Sequence, residues 1–248
     1  MKIALLDSTI REGEQSPNVT FSIEQKIEIV KALDDFGVEF IEIGHPTVSP
    51  DIREAVSQIA SMETRAEKLI HGRATRSDID DAVSFGVPWV GIFFGTSDLS
   101  LEYKFGIDQS TALKRIVEAV EYAKNQGVKL RFTAEDATRT SLPFLIEVAQ
   151  AVQAAGADRF SIADTVGTLT PEKTTSLIKS IKDSIDIKVH IHCHNDFGLA
   201  TANATAALIA GAEVADVTIN GLGERSGIVP LAEIAVLLKQ KYNGSVFN

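Results

Sequence analysis

Cysteine is almost missing from this chain. A single Cys193 in 248 residues rules out an internal disulfide, so the fold must rest on its core. That usage fits a reducing compartment, and a cytoplasmic location is expected. Basic residues are also scarce, with 24 Lys and Arg against 34 Asp and Glu, a net charge of −10. A nucleic-acid-binding domain usually carries the opposite balance, because it must neutralise phosphates, so nucleic acid is not an expected partner. No window approaches the apolar length of a membrane span, and the opening MKIALLDSTIREGE turns acidic after a short apolar run. Neither a membrane partner nor a secretory leader is expected. With 17 Gly and 7 Pro, collagen-like and low-complexity classes are excluded too. What is present is 44% hydrophobic residues, enough for a full core in one or two domains.

Short β-rich runs alternate with longer segments of helical period. The runs lie at 3–6, 38–43, 68–71, 89–94, 128–133, 159–163, 188–192 and 215–219. Each is nearly continuous in apolar residues, as in parallel strands covered on both faces. Between them, 22–36 begins with a serine cap and places Ile23, Ile27, Val30 and Leu33 on one stripe. Further helices are expected near 51–62, 77–85, 109–125, 141–155, 171–184, 199–210 and 230–241. Gly37, Gly86, Gly127, Gly156 and Gly211 follow helices where a C-terminal glycine cap belongs. Pro171 and Pro230 stand near helix starts. Eight uninterrupted units predict a single-domain (β/α)8 TIM barrel over 1–248, with 242–248 as a tail and no second domain. A doubly wound open sheet shares the alternation and is the competing fold.

In a barrel the functional side chains sit at the C-terminal strand ends. Those positions form a polar set here: Asp7, Arg11, Glu12, Glu14 and Gln15, then His45, His71, Arg131, Thr133, Glu135, Asp164, Thr165 and the run His192–Asp196. Four of the five histidines fall on this face, and His190 does not. His192 and His194, two apart, point the same way from an extended segment. With a carboxylate they would make a site for a divalent Zn, Mn or Fe ion; a hydrogen-bonded pair in the mouth is the plain alternative. Segment 194–196 also reads as H-x-D of the facial-triad type, but the βα pattern argues against that class. His45 and His71 read equally as structural histidines. Asp34–Asp35 and the 63–68 charge run read as solvated helix faces. The loop 220–227, NGLGERSG, is neither G-x-G-x-x-G nor a P-loop. Its glycines allow close backbone approach, and Glu224 and Arg225 either pair with other mouth residues or meet a ligand.

Six motifs occur in order: DSTIREGEQSP at 7–17, FGTS at 94–97, RFTAED at 131–136, ADTVG at 163–167, HCHNDFGLA at 192–200 and NGLGERSG at 220–227. Together they resemble the barrel of the acyl-CoA-condensing metal enzymes, the homocitrate, isopropylmalate and citramalate synthases related to hydroxymethylglutaryl-CoA lyase. The Gly-Gly-Cys-Pro segment typical of the lyases is absent, which favours a synthase. Arg11-Glu12-Gly13-Glu14-Gln15, Gly227-Ile228-Val229-Pro230-Leu231 and Arg131 are most similar to lysine-pathway homocitrate synthases.

The resemblance implies a Claisen-type condensation of acetyl-CoA with a 2-oxo acid, here 2-oxoglutarate. Glu12, His192 and His194 would hold a divalent metal (Mg2+, Mn2+ or Zn2+). Arg11 would face oxygens that gain negative charge. Arg131 would read the distal carboxylate, with Gln15, His71, Thr133 and Thr165 also binding substrate, and Glu135 would serve as base. Other implied readings are an isopropylmalate- or citramalate-type synthase, lyase- or aldolase-like cleavage, and a barrel subunit needing a partner chain. Lysine-inhibited relatives carry acidic residues where Gly91 and His190 stand, so lysine feedback is not expected. Full-length synthases continue into C-terminal subdomains that contribute a catalytic histidine. A homodimer, or association with a chain that supplies this part, is therefore expected.

Overall fold

A computed structural model describes residues 3–242. The strands are β1 (Ala4–Asp7), β2 (Phe40–Gly44), β3 (Glu67–Arg73), β4 (Trp89–Gly95), β5 (Lys129–Glu135), β6 (Arg159–Asp164), β7 (Lys188–Cys193) and β8 (Val214–Val217). The intervening helices are α1 (Ile23–Phe36), α2 (Pro50–Ala60), α3 (Arg76–Ser84), α4 (Gln109–Asn125), α5 (Leu142–Ala154), α6 (Pro171–Lys182), α7 (Ala200–Ala210) and α8 (Leu231–Lys241). The strands pair in parallel and in sequence order, and β8 closes on β1 with Ala4 opposite Val214. Closure removes the open-sheet alternative and gives a single-domain (β/α)8 TIM barrel. The expected tail at 242–248 lies outside the described residues, apart from Tyr242 at the end of α8. Among the described residues no helix is long and apolar enough to cross a membrane.

Local chemistry explains the boundaries. Ser22 and Gln25 form a reciprocal capping box that starts α1. At its end Gly37 takes the left-handed conformation (φ 97°), and the N–H groups of Gly37 and Val38 both donate to the Leu33 carbonyl. Val38 therefore closes the helix, and β2 begins at Phe40 rather than at 38. β8 ends two residues before the expected 219, because Thr218 bonds through its N–H to Val229 and through its carbonyl to Leu231. The 63–68 run is not a solvated helix face. Glu67 and Lys68 belong to β3, and the buried Lys68 ammonium donates to the carbonyls of Ala60 and Met62 at the end of α2. A cation belongs there, where helix carbonyls lack partners.

Alternate strand residues fill two different spaces. Leu5, Ile41, Ile70, Val90, Phe132, Ile162, Ile191 and Ala215 pack in the large cluster between strands and helices, all fully buried. Each large side chain there contributes about 1.5–3 kcal/mol. Inside the barrel, Leu6, Phe40, Leu69, Trp89 and Val214 make a separate apolar plug at the lower end. The Arg159 guanidinium stacks on it, 4.3 Å from the Phe40 ring centre and 4.6 Å from that of Trp89. Two residues further along the strands the interior becomes charged, with Glu42, Arg131 and Asp216 all buried. Barrel interiors are usually filled by branched apolar side chains, so this layer marks a site.

Candidate active site

The ten residues to which the resemblance gives a role line one cavity of about 250 Å³ at the C-terminal mouth. Glu12 comes from the loop after β1, His192 from β7 and His194 from the turn just beyond it. These three are buried, and their potential ligand atoms lie within 4.8 Å of one another. The Nε2 atoms of His192 and His194 are 3.3 Å apart, and His194 Nδ1 is buried without a hydrogen-bond partner. That separation suits two nitrogens each about 2.0–2.1 Å from a shared ion. Burial, followed by the neighbouring His192, lowers the His194 pKa to about 4, so its imidazole is neutral and keeps a lone pair. Burial alone would raise the Glu12 carboxyl. Arg11, His192 and the backbone N–H of Glu224 outweigh it and hold Glu12 below its ordinary range. Two imidazole nitrogens and one carboxylate, converging within reach of a single ion, fit a divalent cation.

Arg11 stands beside this cluster. Its Nε donates to Glu42 Oε2 at 2.6 Å, and its Nη1 donates to Glu12 and, at 3.2 Å, to Gln15. Arg131 lies at the cavity floor, only 1% exposed. Its Nη2 donates to Glu42 Oε1 at 2.7 Å, and its Nη1 is 3.5 Å from Asp216 Oδ2. Arg131 Nε and Thr133 Oγ1 have no hydrogen-bond partner, and Nη1 has only its longer ion-pair contact with Asp216. Buried donors left free at a cavity are available to a ligand's oxygens. His71 stacks on Phe93 at 4.8 Å and sets Nδ1 3.1 Å from Glu42. Burial lowers its pKa to about 4, against the pull of Glu42. Thr165 Oγ1 accepts from the Asp136 N–H, and both Glu135 oxygens accept from Lys104, at 2.8 and 3.1 Å.

Two members of this network, Glu42 and Asp216, stand outside the set found from the sequence. Burial alone would raise Glu42; Arg11, His71 and Arg131 hold it well below its ordinary range. Each is one acid inside an apolar strand, FIEIG and VADV. An acid there needs a buried partner, which is the signal that could have marked them.

The remaining mouth residues resolve individually. His45 is half-buried and bonds Asp78 at 3.0 Å, so it belongs to the wall. His190, off the mouth, points into the barrel between Arg159 and Asp216. Most N–H groups of loop 220–227 are taken by protein acceptors: Gly221 on Thr218, Leu222 on Ile219, Gly223 on Ser16, Glu224 on Glu12 and Gly227 on Glu224. No anion cradle results. Instead the loop braces Glu12, and a Cβ at Gly223 would sit 3.2 Å from Glu12 Oε1. Arg225 pairs with Asp196 through two hydrogen bonds of 2.8 and 2.9 Å.

A mouth-facing carboxylate and two histidines on an eight-stranded barrel make a class of barrel whose mouth could hold a metal ion. The chain belongs to the HMGL-like family, whose profile matches residues 2–245. It is 48% identical over 247 residues to a homocitrate synthase of Saccharolobus islandicus, and 49% identical over 249 residues to one of Sulfurisphaera tokodaii. In both cases 98% of this chain matches 54% of the relative, so the chain spans about half the length of these relatives. Among solved structures, HMG-CoA lyases of Bacillus subtilis and Pseudomonas aeruginosa share the fold. Their TM-scores are 0.84 and 0.83, with 21% and 24% identity. The alignments cover 96% of this chain in each case and 86% and 85% of those chains.

Proposed function

We propose that this barrel carries the 2-oxo acid and metal side of an acetyl-CoA condensation that yields homocitrate from 2-oxoglutarate. The observation that carries this reading is the free Arg131 edge at the floor of the same cavity whose rim holds Glu12, His192 and His194. The near-half identity to homocitrate synthases supports the reaction class.

Glu12, His192 and His194 would hold the divalent ion, which when bound supplies Lewis-acid polarisation of the substrate ketone. The residues of the chain do the rest. Arg131, with Thr133 and His71 beside it, binds the distal carboxylate and excludes branched apolar 2-oxo acids, which leave a buried guanidinium unmatched. Arg11, fixed by Glu42, Glu12 and Gln15, directs a permanent positive charge at the oxygen that becomes negative as the C–C bond forms. Thr165 orients the 2-oxo acid. Glu135 faces the cavity and takes or helps direct the proton that leaves the acetyl methyl group. Hydrolysis of the thioester then releases CoA.

The test is CoA release from acetyl-CoA with purified protein, Mn2+ or Mg2+ and a panel of 2-oxo acids, alone and with a second chain that supplies the remaining half of the relatives. Release with 2-oxoglutarate, and not with pyruvate or 2-oxoisovalerate, is the expected result. Release with another acid alone, or none under either condition, sinks the assignment.

A further inference from the structure

Asp216 ties the rim of the cavity to its floor through a single oxygen. Its Oδ2 lies 3.3 Å from His192 Nδ1 and 3.5 Å from Arg131 Nη1, and its Oδ1 lies 3.4 Å from His190 Nδ1. The protons can be assigned by elimination. Arginine only donates, and Arg159 Nη1 is 3.1 Å from His190 Nε2, so Nε2 of His190 accepts and its Nδ1 carries the hydrogen toward Asp216. Beside Arg131 the Asp216 carboxylate offers acceptors only. His192 therefore presents Nδ1–H to Oδ2 and keeps its lone pair on Nε2, the atom that faces His194. Asp216, Arg131 and His190 are each no more than 2% exposed, so water does not compete for these contacts.

We infer that Asp216 is a positioning residue for both ends of the site. It presents the His192 lone pair to the divalent ion and holds the Arg131 guanidinium where a 2-oxo dicarboxylate would end. The inference rests on the metal site proposed above. A carboxylate behind a ligating imidazole fixes its tautomer and ring orientation, and its loss typically weakens metal binding 10–100-fold. D216N keeps the shape but replaces one acceptor oxygen with an NH2 that faces donors: at Oδ2 it strands His192 and Arg131 together, at Oδ1 it strands His190, and either way the negative charge that His192 and Arg131 share is lost.

The experiment is Mn2+ titration of the metal-free protein by calorimetry for the unaltered chain, D216N, E12Q and H190Q, with 2-oxoglutarate titrated into the Mn2+-loaded forms. D216N is expected to weaken Mn2+ binding about 10–100-fold and to weaken 2-oxoglutarate binding. H190Q, which alters the contacts to Asp216 Oδ1 and Arg159 but neither contact to Oδ2, is expected to stay within about threefold for Mn2+. Melting of the metal-free proteins separates a disordered site from a disordered fold. If D216N does not fold, D216E is measured in its place; its displaced oxygens carry the same tenfold criterion. D216N or D216E binding Mn2+ within threefold of the unaltered chain overturns the inference while leaving the metal site standing. Equal Mn2+ affinity of E12Q and the unaltered chain, or no binding by either, overturns the metal reading and this inference with it.

Discussion

Around β1, β2, β7 and β8, Glu12, Glu42, His192 and Asp216 are buried and bonded to one another's partners. Across the mouth, Lys104 and Glu135 meet with side chains 49% and 25% exposed, and nearby Tyr103 is 76% exposed. The two sides differ in how freely they can rearrange. Removing one partner of a buried ion pair costs about 3–5 kcal/mol, because the other charge is stranded. An exposed pair is worth about 0–1 kcal/mol. The first side is held in one arrangement before any ligand arrives. The second, exposed to solvent, can adjust.

The comparison can be broken by mutation, beginning with the rigid side. Glu12→Gln and His194→Ala are expected to weaken Mn2+ binding by about 100-fold or more and to abolish turnover. Calorimetry and CoA release read this out, and intact metal content with intact turnover would refute the ligand assignment. Arg131→Ala leaves Glu42 and Asp216 without their shared cation. A loss of about 3–5 kcal/mol in urea denaturation is expected, together with loss of preference for 2-oxoglutarate over pyruvate. A variant that keeps this preference shows that Arg131 does not select the substrate.

A pH series addresses the same side more gently. His71 is held neutral, with its pKa lowered from 6.5 to about 4 by burial. Between these values the unfolded chain binds the extra proton and the native state does not. The contribution of His71 is therefore full above about pH 6.5 and declines as pH falls toward 4. Melting curves of the unaltered chain and His71→Asn should diverge in slope across this window; parallel curves would show that His71 is not desolvated. The smallest effect belongs to the adjustable side. Lys104→Ala should cost no more than about 1 kcal/mol, and a larger loss in denaturation would mean that this side is as rigid as the other.

Legibility from the sequence followed the range of the physics. Eight strands and eight helices were readable, because period, caps and the glycines after helices act within a few residues. Glu12, His192 and His194 were readable because βα loops of a barrel converge on one face wherever they lie in the chain. Strand ends were less secure: Val38 reads as apolar strand, yet its N–H completes the cap on Leu33. The charge run at 63–68 misled for a similar reason. Lys68 looks like surface until α2 places its last carbonyls around the ammonium.

By itself the sequence determined the alternation of strand and helix and the polar character of the strand ends, since each follows from local pattern repeated eight times, whereas closure into a barrel came with the pairing of β8 on β1. The tertiary structure decided which charges answer which. Arg131 and Glu42 stand 89 residues apart and meet at 2.7 Å only because β2 and β5 face each other across a closed barrel. Asp216 joins His192 to Arg131 for the same reason. No local pattern encodes such partners: their pairing energy arises only once closure has removed the water between them.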